Sequence, residues 1–278
     1  MGILNITPDS FSDGGQLYSG SVLDLDKTFQ AVAQMLTDGA DIIDIGGEST
    51  RPGATAVSQQ QELDRVMPVL QGIKQRFDAL ISVDTSTAQV IREAASGGAH
   101  MINDVRALQR EGALEAAAQS RLPVCLMHMQ NQPNNMQASP SYSDVVAEVI
   151  EFLLQRKQAC LEAGIASDQI LLDPGFGFGK TLEQNLTLFN ALDQFADTGY
   201  PLLVGVSRKT MIGQLLDLDV DQRLIGSVTM AVLAAQLLAQ NALQNTTGQG
   251  LILRVHDVLE TVQALTLWQN VNKFKCEK

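Results

Sequence analysis

One pattern dominates the chain: a short apolar run that closes on a polar residue or a polar loop, met eight times. Met1–Leu4 ends at Asn5, Ile42–Ile45 runs into GGESTRPG, Leu80–Val83 ends at Asp84 and His100–Ile102 at Asn103. Val124–Met127 ends at His128 and Ile170–Leu172 at Asp173. Leu202–Val206 leads into Ser207-Arg208-Lys209, and Leu251–Leu253 into Arg254-Val255-His256-Asp257. Apolar runs of this length, bounded by Gly, Pro or polar groups, read as buried strands of a parallel sheet. Helical patterns of roughly 10–20 residues separate them. Eight such units predict a single (β/α)8 barrel domain over residues 1–278, with its active site at the C-terminal ends of the strands. A doubly wound open sheet is the competing architecture. The barrel is preferred because polar ends on all eight strands make most sense if those ends converge.

The intervening segments follow from their breakers and caps. Asn5–Gly15 (NITPDSFSDGG) and Gly46–Ser58 (GGESTRPGATAVS) are long loops rich in Pro, Ser and Gly. Ser21–Asp38 reads as a helix closed by Gly39. Gln59–Phe77 reads as an amphipathic helix with Leu63, Val66, Met67 and Leu70 on its inner stripe. Thr85 or Ser86 is the expected N-cap of a helix over Ala88–Ala95. Helices are further expected near Gly112–Gln119 and over Ser143–Ala163, Thr181–Asp193, Asp221–Gln240 and Asp257–Lys273, with a loop over Asn131–Ser141. Within Asp221–Gln240, apolar residues fall on nearly every side, so the outer face needs a cover. A second copy of the chain is the expected one, making a homodimer through this helix; the Leu238–Gly250 segment folding back is the other candidate.

Composition excludes several classes. The chain of 278 residues is 45% hydrophobic and 18% charged, ample for a globular core. A net charge of −12, with no basic run, argues against nucleic-acid binding. The most apolar window, Val228–Ala239, is too short and too interrupted by Gln to span a bilayer. Cys125, Cys160 and Cys276 show no metal-ligand spacing and read as reduced thiols of a cytoplasmic protein.

Gathered on one face, the strand ends form two groups. Asp84, Asn103 and Asp173 lie near the barrel axis by position. They suit a neutral heterocycle with several N–H donors, since a carboxylate can accept two parallel bonds from an amidine-like edge. Arg51, Arg208, Lys209, Arg254 and His256 form a cationic set, part of it on the loops after strands seven and eight, where barrels commonly hold phosphate. Arg208 or Arg51 taken singly reads as a surface ion pair, and His100 and His128 as satisfied core residues. In ILLDPGFGFGK (Ile170–Lys180), glycines after the acid let a ligand approach the backbone closely.

MGILNITPDSFSDGG, DIGGESTRPGA, ISVDTS, MINDV, CLMHMQ, LLDPGFGFGK, VGVSRKTMIG and RVHDV resemble, in order, the motifs of the dihydropteroate synthase family. The likeness runs nearly end to end. It implies a (β/α)8 transferase that joins 6-hydroxymethyl-7,8-dihydropterin pyrophosphate to p-aminobenzoate. It implies that Asp84, Asn103, Asp173 and Lys209 bind the pterin. Asn5 would meet the Mg²⁺–pyrophosphate, Arg254 and His256 the phosphates, and Thr50 both substrates. The loops with Thr7–Phe11 and Thr50–Pro52, hence Phe11, Arg51 and Pro52, would close over p-aminobenzoate, which also meets Phe178, Ser207 and Lys209. The family usually carries residues before this first strand, and its connection into strand eight is usually shorter than Leu238–Gly250. Pterin-binding modules of cobalamin-dependent methyltransferases and a non-catalytic pterin-binding homologue are the rival readings. The methyltransferase modules would not need Ser207-Arg208-Lys209 or the Phe11 loop, and a homologue without activity should have lost a motif; none is lost.

Overall fold

The structure, a computed structural model, describes residues 1–7, 17–19, 22–50, 57–130, 140–244 and 250–273, with the side chains of residues 19, 22 and 241–244 outside that description. Eight parallel strands make one sheet: β1 (Gly2–Asn5), β4 (Ile42–Gly46), β5 (Leu80–Asp84), β6 (Met101–Asp104), β7 (Val124–Met127), β8 (Ile170–Asp173), β9 (Leu202–Val204) and β10 (Leu251–Leu253). Each pairs with the next in that order. The sheet closes where Ile3 N–H donates to Val255 and Val255 N–H donates to Met1, both at 3.0 Å. The fold is therefore the expected (β/α)8 barrel. Helices α1 (Leu25–Thr37), α2 (Gln59–Arg76), α3 (Ala88–Gly97), α4 (Ala113–Ser120), α5 (Val145–Glu162), α6 (Leu182–Asn190), α7 (Leu192–Ala196), α8 (Thr210–Leu216), α9 (Leu224–Gln244) and α10 (Val258–Lys273) lie between and after the strands.

Strand alternation divides the core in two. Residues such as Ile43, Ile45, Val83, Ile102 and Ile170 point outward and pack under the helices in the large cluster. Met101, Cys125, Leu171 and Leu203 point inward and fill the barrel as a small separate cluster. Register places Asn5, Gly46, Asp84 and Asn103 side by side in one layer, and Asp173 beside Met127. The inward face is thus apolar over a short depth and polar at its C-terminal rim.

Several local expectations give way. The helix expected from Ser21 begins at Leu25, capped by Asp24, whose side chain accepts the Lys27 N–H. Before it lies a small hairpin, β2 (Tyr18–Ser19) with β3 (Val22–Leu23), too short to show periodicity. Thr87, not Thr85 or Ser86, stands at the N-cap of α3 and makes no side-chain cap bond there. The other two hydroxyls are spent elsewhere: Thr85 bonds Glu62, and Ser86 bonds Asp104. On α2, Val66 and Leu70 are buried, but Leu63 and Met67 are half-buried; Glu62, Val69 and Ile73 complete the inner face. Thr181–Asp193 breaks at Ala191 into α6 and α7. The strand expected over Leu202–Val206 ends at Val204. The helix expected over Asp221–Gln240 starts later and runs to Gln244, after a 3-10 turn at Val220–Gln222. Of the loop expected over Asn131–Ser141, residues 131–139 lie outside the described residues.

Candidate active site

At the rim, β5 delivers Asp84 and β8 Asp173 as their last residues, and β6 delivers Asn103 as its last but one, each at an inward-pointing position. Asn103 and Asp173 are buried and Asp84 is half-buried. The expected separation into acids and cations does not hold for Arg254. Its Nε donates to Asp44 at 2.6 Å and its Nη2 to Asp84 at 3.1 Å. Asn103 Nδ2 donates to the same Asp44 oxygen at 3.2 Å. Asp44, fully buried in the middle of β4, is thus the residue the sequence reading missed. The signal was present: an acid between two isoleucines in a buried strand must find a cationic or N–H partner. Burial raises the Asp84 carboxyl, with Asp44 adding to the rise and Arg254 opposing it.

The glycine loop after β8 is fixed from below. Asp173 Oδ1 accepts the Gly175 N–H at 2.7 Å, and Gly175 sits at a φ of 70°, where glycine is favoured. Lys180, buried, places its Nζ 2.9 Å from His128 Nδ1 and 2.9 Å from the Gly175 carbonyl, with the Phe178 carbonyl at 3.1 Å and the His128 carbonyl at 3.4 Å. Burial, with the Lys180 charge beside it, holds His128 down at about 2, so its ring is neutral and accepts from the ammonium. Lys209 donates to the Phe176 carbonyl and lies 4.8 Å above the Phe178 ring. Burial pushes Lys209 down to about 8 against the pull of Asp173; burial likewise pushes Asp173 up against Lys209. His100 Nδ1 accepts the Ile81 N–H at 3.0 Å, but the residue is exposed, so of the two histidines read as core residues only His128 is one.

The ends of β9 and β10 are laced together. Ser207 Oγ lies 3.0 Å from His256 Nδ1 and also accepts the His256 N–H. Arg208 forms a two-point pair with buried Asp257, and its own backbone is held by Ser227 and Arg223. Arg208 is therefore committed to structure, as its ion-pair reading had it. Asn5 ends β1, and its Oδ1 and the Asp84 carboxylate both border the space that a side chain on Gly46 would fill.

Both long loops have fixed stems. Thr7 and Leu17 are buried, and Tyr18 donates to the Ile6 carbonyl at 3.0 Å. Beyond β4, Glu48 pairs with Arg106 at 3.0 Å and Arg110 at 3.1 Å, and Arg65 donates to the Gly47 carbonyl. Glu62, buried, takes the hydroxyls of Thr85 and Thr87. None of these acids was singled out from sequence, since each reads alone as a solvated charge. Thr50 is half-buried at the end of the described stem; Phe11, Arg51 and Pro52 lie outside the described residues. Among the described residues, no cluster of His, Cys, Asp and Glu could by itself hold a metal ion. Nor is any described helix long and apolar enough to cross a membrane.

A family model described as pterin binding enzyme matches residues 1–241. The dihydropteroate synthase of Haemophilus influenzae is 53% identical over 269 residues, covering 97% of this chain and 92% of that protein. A crystal structure of Yersinia pestis dihydropteroate synthase in a sulfonamide drug complex is 52% identical, with a TM-score of 0.90, over 98% of this chain and 93% of that one. The Xanthomonas albilineans enzyme in complex with 7,8-dihydropteroate is 42% identical, with a TM-score of 0.82, over 98% and 92% of the two chains.

Proposed function

The chain belongs to the dihydropteroate synthase family of pterin-binding enzymes, and from that premise we propose how its own residues carry the reaction. The enzyme is a transferase that joins 6-hydroxymethyl-7,8-dihydropterin pyrophosphate to p-aminobenzoate, giving 7,8-dihydropteroate and pyrophosphate. One observation carries the assignment of roles: Asp84, Asn103 and Asp173 stand at the ends of three strands, with Arg254 bonded to the first and Lys209 near the last. Carboxylates and an amide at that spacing accept the N–H edge of a flat pterin, and Lys209 donates to its carbonyl side.

The aromatic amine is neutral and weakly nucleophilic at pH 7, so no base is needed before attack. The bond between the methylene carbon and the pyrophosphate oxygen breaks, and its electron pair leaves with oxygen. Arg254 and His256 meet the charge growing there, each worth a few kcal/mol. Asp84 and Asp173 favour the cation left on the pterin-stabilised methylene. The amine lone pair then forms the C–N bond, and its extra proton passes to solvent. This is a dissociative, SN1-like substitution.

Mg²⁺ fits the donor set: it favours oxygen ligands, keeps waters, and is commonly held by few protein groups together with substrate phosphates. The Asn5 amide oxygen and the pyrophosphate oxygens would hold it, and it would neutralise charge on the leaving group. Thr50 and the loops bearing Phe11, Arg51 and Pro52 are assigned to closure over p-aminobenzoate, with Phe178 and Ser207 beneath. Buried thiols at Cys125 and Cys160 support a cytoplasmic location. A homodimer through α9 and α10 is supported by Ile225 at 78% and Leu267 at 68% exposure, with Leu233, Leu259 and Val271 also bare. Light scattering should give about twice the 30.0 kDa chain mass; a monomer would end that reading. For the activity, mixing both substrates with Mg²⁺ should yield dihydropteroate and pyrophosphate, and chelation should stop it. No dihydropteroate with both substrates and Mg²⁺ present would refute the assignment.

A further inference from the structure

We propose that Asp44 is a positioning residue that aims Arg254 at the leaving pyrophosphate and fixes which way the Asn103 amide faces. The inference rests on the assignment of Arg254 to the phosphates given above. Three carboxylate and guanidinium groups are arranged in order of dryness: Asp44 is 0% exposed, Asp84 14% and Arg254 19% by side chain. An ion pair at the dry end is screened little by salt and water, whereas one at the wet end exchanges readily. Arg254 therefore has a permanent anchor through Nε to Asp44 and a releasable contact through Nη2 to Asp84.

A guanidinium carries five N–H bonds in one plane. With Nε–H on Asp44 and one Nη2–H on Asp84, three remain, and they lie on the edge away from the buried carboxylate. Among the described residues nothing else bonds to that edge, which leaves it to phosphate oxygens. When the pterin arrives, Asp84 can turn to its N–H groups without unseating Arg254, because Asp44 holds the other side. The same Asp44 oxygen takes Nδ2 of Asn103, which turns the Asn103 carbonyl oxygen away from Asp44 as an acceptor for the pterin. Asp44 Oδ1 has no hydrogen-bond partner among the described residues, so the carboxylate is held by these two site residues alone. A carboxylate kept buried for packing alone would be expected to satisfy both oxygens within the barrel wall.

The test is a double-substitution cycle on Asp44→Asn and Arg254→Met, read by steady-state kinetics and calorimetry on the full chain. In the Arg254 background of the native protein, D44N should lower kcat roughly 100-fold. KM for p-aminobenzoate should stay within about twofold, since that substrate is assigned no contact with Asp44 or Arg254. Affinity should fall more for the pterin pyrophosphate than for the same pterin without phosphates. In the R254M background, D44N should lower kcat much less, by no more than about tenfold, because only its hold on Asn103 remains. Equal losses in the two backgrounds, or equal losses for phosphorylated and bare pterin, would overturn the proposal. Should D44N fail to fold by circular dichroism, Asp44→Glu decides: it keeps the charge but displaces the anchor by one methylene. D44E should fold and lose kcat, and a wild-type kcat in D44E overturns the proposal. Inactive native protein would instead refute the function itself.

Discussion

Ser207 serves His256 twice: its Oγ accepts the His256 backbone N–H at 3.1 Å and sits 3.0 Å from Nδ1 of the ring. A hydroxyl that already accepts one bond is disposed to donate its own proton to Nδ1, which leaves the imidazole proton on Nε2. Ser207→Ala should therefore lower kcat about tenfold, with a stability loss of about 1 kcal/mol. A loss carried instead by KM for p-aminobenzoate would place the hydroxyl on that substrate rather than on the imidazole.

Asp173→Asn should fold and bind pterin poorly. An amide keeps the volume and can still accept the Gly175 N–H, but it puts a donor where the pterin needs an acceptor, a cost of roughly 2–5 kcal/mol. Calorimetry showing native affinity in the folded variant would refute the role.

Activity should fall at alkaline pH. Lys209 is pushed by burial to about 8, so above that pH it loses the proton it donates. The kcat/KM for the pterin pyrophosphate should drop about tenfold per unit on that limb. In Lys209→Arg the residual activity should keep no such limb; a limb unchanged in K209R would assign it to another group. The same shift affects stability: between about pH 8 and 10.5 the folded protein holds fewer protons on Lys209 than the unfolded chain, so its contribution rises with pH there.

Gly175→Ala should destabilise by about 2–4 kcal/mol. The residue has a φ of 70°, and a Cβ on it would overlap the His128 carbonyl oxygen. Denaturant unfolding with an unchanged midpoint would show that the turn relaxes at no cost.

Barrel and rim were legible because strand ends announce themselves: an apolar run meets Asn5, Asp84, Asn103 or Asp173, and no propensity argument competes. Asp44 was not, since it interrupts its strand two residues before the end and was absorbed into the run. Its partner Arg254 lies 210 residues away in sequence, a pairing that only barrel closure creates. Likewise, Thr85 and Ser86 look like caps locally; Glu62 and Asp104 claim their hydroxyls through contacts between separate elements. The break between α6 and α7 and the two-residue strands of the hairpin fall below the length at which periodicity carries information.

Lys180 gives the glycine loop something that loops walled by carbonyl oxygens otherwise borrow from solution. Its ammonium occupies the place a potassium or ammonium ion would take, facing the carbonyls of Gly175, Phe178 and His128. A dissolved ion there would stabilise the loop only in proportion to its concentration, and dialysis would strip it. A cation carried on the chain can be lost only by giving up its proton, which burial eases and Asp173 opposes. The shape of this loop is therefore indifferent to which monovalent salt surrounds the protein, and its lysine is sheltered from amine-modifying reagents for as long as the barrel is folded.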